Sequence, residues 1–436
     1  MSRTHSFSLL AMALAGSALL TACQAPRNAQ NIPFTPLQAQ AARFQNLNDA
    51  ASSQSARTGF EQFTVVNTTQ GQTWPRMELL RTPGLPTTRM PERGRQQAPD
   101  VVTCFGQDRP PSTDVCLHDA GAPDQLRHNT PVLLIHGANM NATSNWAAPP
   151  FTRQKTGLMQ YLKAQGYHVF AVSFADKHDD NFIWVNQIHN AVARVRQITG
   201  AEQVDAVAHS KGGFALRMYT SNIMGPGMQQ PYQKHLRKAI FVGTPHRGID
   251  YTFRNSVVHW ALLPAGNDPV KYAPVAWDKA LILGSWKTTQ EESFMGPYFK
   301  GQSQMIARWD QEYPLNPTNP DWYTTYNGGQ GFVSHSPGID KVIQAGGDIV
   351  GKLKKSPVEA NIQVALLAVK RANMEGVLNE SAGPSDGIVF VKSASAVEDV
   401  TAGGARLLDS KVLDLHHLGL VAEPEALTWI DQQLSR

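Results

Sequence analysis

The chain has 436 residues, of which 42% are hydrophobic and 17% charged. That balance supplies a sizeable core and excludes an intrinsically disordered protein. The formal net charge is +4, from 39 basic and 35 acidic side chains, and no long basic run is present, which excludes the electrostatic footprint of a nucleic-acid partner.

Arg3 and His5 precede an apolar run, Phe7 to Leu20. The run is too short to span a bilayer and has the length of a signal-peptide core. It ends in Leu20-Thr21-Ala22-Cys23. This resembles the lipobox of bacterial lipoproteins, which implies removal of residues 1–22 and lipidation of Cys23. Gln24, rather than Asp, follows the Cys. By the family's sorting rule that implies the outer membrane if the host is Gram-negative. The expected localisation is the cell envelope, with the membrane reached through an N-terminal lipid anchor. The plainer alternative is a secretory signal ending in an incidental Cys. Residues 23–59 are rich in Gln, Asn, Ala and Ser and read as a flexible tether.

Residues 60–129 hold short β-like runs, Phe63 to Val66 and Val101 to Thr103, among many Pro, Gly and Arg residues. They read as an N-terminal β-rich arm packed against the main domain. Besides Cys23 the chain has two cysteines, Cys104 and Cys116. An even pair in an exported chain is expected to form a disulfide, closing a short loop and stabilising it by about 3 kcal/mol.

The pattern changes at residue 130, where an α/β domain running to 436 is expected. Pro131 to Ile135 is a continuous apolar run ended by His136-Gly137, as in a buried parallel strand. Helical stretches at 157–164, 183–198 and 213–223 alternate with strands at 167–174, 204–208 and 239–242. Strict alternation means a mostly parallel sheet with helices on both faces. Residues 250–325 break it with Trp260, Trp277, Trp286, Phe294, Tyr298, Phe299 and Trp309, and read as an inserted lid or cap. Strands at 323–326 and 362–368 and a helix at 424–434 complete the chain.

Ala208-His209-Ser210-Lys211-Gly212-Gly213 lies between a strand and a helix. A Ser projecting from such a tight turn needs very small residues two before and two after it. From Pro131 onward the chain resembles α/β-hydrolases of the bacterial lipase/esterase group, some of which carry the same Ala-His-Ser-x-Gly elbow. The resemblance implies Ser210 as nucleophile. It implies an oxyanion hole from the backbone N–H groups of Ala138, after His136-Gly137, and of Lys211, whose side chain is expected to be solvated. Gly243-Thr244-Pro245-His246-Arg247-Gly248 resembles another segment of these lipases, with His246 in a structural role. The acid implied is Asp386, in Ser385-Asp386-Gly387, ahead of Asp399, Asp409 and Asp414. The base implied is His417, with His416 as its rival; they are the last two of 14 histidines.

These residues imply a serine hydrolase of carboxylic esters, most readily a lipase acting on acylglycerols, with an ester or lipid substrate and no cofactor or metal. An acyltransferase, a thioesterase or a polyester depolymerase would use the same triad. A non-catalytic anchored surface protein on a hydrolase scaffold is the remaining alternative. Oligomeric state is not legible.

Overall fold

Apolar strands joined by helical stretches bury both faces only if helices cover the sheet on each side. The structure, a computed structural model, describes residues 63–87, 95–149, 156–223, 225, 231–254, 300–318, 323, 326–330, 335–336, 338–375 and 379–436. The signal peptide, Cys23, the tether, and the cap residues Trp260, Trp277, Trp286, Phe294, Tyr298 and Phe299 lie outside the described residues.

In chain order the main elements are β1 (Thr64–Thr69), β2 (Arg76–Arg81), α1 (Pro99–Phe105), β3 (Asp114–Asp119), β4 (Val132–Ile135), α2 (Leu158–Ala164), β5 (Val169–Phe174) and α3 (Asn181–Thr199). Next come β6 (Val204–His209), α4 (Lys211–Thr220), β7 (Leu236–Val242), α5 (Ile339–Gly346), α6 (Ile349–Lys355), β8 (Gln363–Val369), β9 (Arg406–Leu413) and α7 (Pro424–Ser435). The strands form one nine-stranded sheet, ordered β1-β2-β3-β5-β4-β6-β7-β8-β9. β3 meets β5 antiparallel, and β5 through β9 are parallel throughout. This is the α/β-hydrolase architecture expected from the sequence.

The side-chain period of two divides the core. Leu133 and Ile135 of β4 point to one face, with Phe170, Val172, Ala206, Ala208 and Phe241, and pack against α3 and α4. Val132 and Leu134 point to the other, with Ala171, Val207, Ile240 and Leu367, against α2 and α7.

Two expectations need correction. Val101 to Thr103 are helical, within α1. Pro99 opens that helix and the left-handed Gly106 ends it, and burial of Val101 and Cys104 overrides the β preference of two valines. In the N-terminal segment β1, β2 and β3 pair in sequence and β3 pairs with β5, so these strands extend the main sheet. Tyr323 and Tyr326 are helical rather than extended. Tyr326 is fully buried and its hydroxyl donates to Asp250 Oδ2 at 2.8 Å. A buried polar anchor, not strand pairing, sets its conformation. Cys104 on α1 and Cys116 on β3 form the expected disulfide, with Cα atoms 6.2 Å apart.

Candidate active site

β6 runs through the middle of the sheet, fully buried between β4 and β7. It ends at Ser210, whose φ of 53° and ψ of −122° lie where a side chain is strained. The Ser210 N–H donates to Val242 O at 2.9 Å, and Ser210 O accepts from Phe214 N at 3.1 Å. The turn is tight enough to exclude a side chain at 212. A β-carbon there would sit 2.3 Å from His136 O and 2.8 Å from Ile135 O, the end of β4. The requirement for a small residue therefore comes from the neighbouring strand.

Two loops bring partners to Ser210 from far along the chain. His417 Nε2 is 3.0 Å from Ser210 Oγ. His417 Nδ1 is 2.7 Å from Asp386 Oδ2. A carboxylate only accepts, so the imidazole proton sits on Nδ1 and the Nε2 lone pair faces the Ser210 hydroxyl. Asp386 follows β8, and its other oxygen accepts from Ile388 N at 2.9 Å and Val389 N at 2.7 Å. His417 N donates to Asp386 O at 3.0 Å, so backbone as well as side chain sets the pair. Both are buried, while Ser210 is partly exposed.

The rivals are engaged elsewhere. His416 Nδ1 accepts from Gly419 N at 3.3 Å. Asp399 pairs with Arg247 at 2.8 Å, Asp409 accepts from Trp429 Nε1 at 2.8 Å, and Asp414 pairs with Arg371 at 2.5 Å. His246 is buried, edge-on to Phe241 at 4.9 Å, and burial holds it well below the usual histidine range.

The loop after β4 lies against Ser210. A β-carbon on Gly137 would stand 3.1 Å from Ser210 Cβ. Ala138 follows in that loop. Burial pushes His136 down to about 3, so its ring is neutral. Its Nδ1–H donates to Gly137 O at 2.7 Å and its Nε2 accepts from Phe174 N at 3.2 Å. Lys211 is the first residue of α4. Its amide is among those a helix leaves without an intrahelical partner, and the helix dipole adds positive potential there.

Two bracing residues escaped the sequence reading. Asn145 Oδ1 accepts from Gly137 N at 3.2 Å and lies 3.1 Å from His209 Nδ1. His209 Nε2 is 3.3 Å from His417 O. Together they tie the β4 loop to the histidine loop across the elbow. His209 stands inside the elbow motif, but nothing in the sequence marks Asn145.

The expectation for the Lys211 side chain is wrong. It is fully buried, with Nζ 3.1 Å from the centroid of the Trp184 ring. Burial lowers its pKa to about 7, against the pull of Asp179, Asp176 and Asp180. Burial raises Asp176 to about 7 as well. The helix packing that covers residue 211 is a tertiary fact with no local signature.

The Asp386 loop has its own support. Glu380 N donates to Gly387 O at 2.8 Å, and burial pushes the Glu380 carboxyl up to about 7. Arg254 lies 3.7 Å from Glu380 and 2.7 Å from Asp250. Among the described residues, no group of three His, Cys, Asp or Glu is placed to hold a metal ion.

Solved structures similar to this chain include a Bacillus licheniformis lipase in its mature form, at 14% identity and a TM-score of 0.40, covering 73% of this chain and 97% of that one. A thermostable carboxyl esterase from Bacillus coagulans is similar at 10% identity and a TM-score of 0.36, over 86% and 98%. A carboxylesterase from Bacillus subtilis is similar at 11% identity and a TM-score of 0.32, over 91% and 97%. Residues 129–230, which carry β4, the Gly137–Ala138 loop and the elbow at Ser210, match the family model of the lipases of class 2.

Proposed function

We propose that this chain is a serine hydrolase of carboxylic esters, a lipase that cleaves acylglycerols through an acyl-enzyme on Ser210. The observation that carries the reading is the unbroken relay from Asp386 Oδ2 through His417 to Ser210 Oγ, at 2.7 and 3.0 Å. The match of residues 129–230 to class 2 lipases supports the ester and lipid substrate class.

In the first half-reaction His417 Nε2 takes the hydroxyl proton as Ser210 Oγ bonds to the ester carbonyl carbon. Asp386 holds the Nδ1 tautomer and stabilises the imidazolium. The carbonyl oxygen becomes an oxyanion facing the amides of Ala138 and Lys211. The bond to the leaving alcohol breaks, and that alcohol takes the proton from His417. Water then repeats the sequence on the acyl-enzyme, releasing the fatty acid and restoring Ser210.

From the lipobox-like Leu20-Thr21-Ala22-Cys23 we also propose a cell-envelope enzyme anchored through lipid on Cys23. The Cys104–Cys116 disulfide is in keeping with an oxidising compartment.

The test is labelling with a fluorophosphonate, joined to hydrolysis of p-nitrophenyl esters of rising chain length. Labelling of the wild type that disappears in Ser210→Ala, with activity extending to long acyl chains, is the expected result. Absence of labelling in the folded wild type sinks the enzymatic reading. A preference confined to short chains restricts it to an esterase.

A further inference from the structure

We propose that the Lys211 side chain is a positioning residue, its buried ammonium, seated on Trp184 beneath Gly301, fixing the amide at the head of α4 that faces the oxyanion. The proposal rests on the reading of Ser210 as nucleophile.

Lys211 follows the nucleophile directly, so its side chain and its amide share one Cα. The side chain runs inward rather than to solvent and its Nζ stands 3.1 Å from the Trp184 centroid, a strong cation–π geometry. Segment 300–304 closes over it. A β-carbon on Gly301 would lie 2.4 Å from Lys211 Cε and 2.7 Å from Nζ. That segment is bolted to the loop after β5. Gly301 N donates to His178 O at 3.1 Å, and Asn181 Nδ2 donates to Gly301 O at 2.8 Å. Gln304 accepts from Asn181 N at 2.8 Å and donates to Asp180 Oδ1 at 2.7 Å. The cation is thus clamped between α3 and this segment, and the clamp ends at the oxyanion-side amide.

Stability alone argues against a Lys here. A buried ammonium is costly, and an apolar chain of similar length would serve packing better. Asp176 and Asp179 are buried in the same region and favour the charged form of the lysine, against the burial that lowers its pKa. In its charged form the side chain adds positive charge behind the amide, in a dry interior where it acts strongly on a developing negative oxygen.

The test uses the full chain and three proteins: wild type, Lys211→Met and Gly301→Ala. Fluorophosphonate labelling of the wild type is read first, since its absence defeats the underlying nucleophile assignment rather than this proposal. Given labelling, Lys211→Met is expected to lower kcat on p-nitrophenyl butyrate by about 10-fold or more, with KM changed by less than about 2-fold. Affinity for an alkyl boronic acid, which forms a tetrahedral adduct on the Ser, falls by a similar factor. The Tm of Lys211→Met stays level or rises. Gly301→Ala, whose β-carbon would meet Asp179 O at 2.1 Å as well as the lysine, also lowers kcat. Wild-type kcat and boronate affinity in Lys211→Met overturn the proposal. So does a change in KM alone, or a variant that loses its fold, which would assign the ammonium to stability.

Discussion

Strands β1–β3 and strands β4–β8 belong to one sheet but are held by different means. β1 is exposed along nearly its whole length, and β2 is exposed at both ends. This side relies on cross-links: the Cys104–Cys116 disulfide, the Arg81–Asp114 pair at 2.8 Å and the Arg194–Glu78 pair at 2.6 Å. β3, at the junction, is buried throughout, as are β4, β5 and β6 on the parallel side, which needs no covalent staple. Burial on both faces over-determines the backbone there. It can therefore hold a strained Ser210 and a neutral, desolvated His136 beside it. The division teaches that chemistry is placed where packing is redundant, while the thin edge is secured by specific bonds.

That contrast predicts that substitutions on the parallel side cost activity and those on the antiparallel side cost stability. The largest effect is expected for Ser210→Ala. It should lower kcat by about 10⁶-fold, in steady-state assays on p-nitrophenyl esters, and leave Tm nearly unchanged. Asp386→Asn comes next, with kcat lower by about 10⁴-fold. An amide oxygen at that position still accepts from Ile388 and Val389, so circular dichroism should show an intact fold. If Asp386→Asn keeps kcat, the relay is not the catalytic one.

Across the sheet, replacing Cys104 and Cys116 together by Ala should cost about 3 kcal/mol in urea unfolding, with kcat at 25 °C unchanged. A large loss of kcat in the folded variant would break the division of labour. At neutral pH the smallest expected effect concerns His118, in β3, where burial lowers the pKa to about 3. Its ordinary value is 6.5, so the unfolded chain binds a proton that the fold refuses. Its share of stability is present above pH 6.5 and is lost as pH falls toward 3, by about 1 kcal/mol per pH unit. His118→Gln should flatten the fall of Tm between pH 6.5 and 4 relative to wild type. His136, held down to about 3 by burial on the other side, keeps part of that slope.

Much of the site was legible because it is local. The elbow at Ala208–Gly213 needs small residues at fixed offsets, and sequence offsets are what a chain displays directly. The strand–helix alternation from β4 to β7 was legible for the same reason. Val101–Thr103 was not, because Pro99 and the burial of Cys104 outweigh the preference of two valines. The readings of Tyr323 and Tyr326 as extended failed likewise; Asp250, far away in sequence, accepts from the Tyr326 hydroxyl.

The chain by itself determined the fold class, the turn that presents Ser210, and the order in which an acid and a histidine follow it. Periodicity and turn chemistry are properties of neighbouring residues, so they are written in order along the chain. Only the tertiary structure decided that His417 rather than His416 meets Ser210, that Asn145 and His209 brace the two loops, and that Lys211 turns inward onto Trp184. Each of those outcomes depends on which surfaces close over a residue from more than 20 positions away, and that is set by packing.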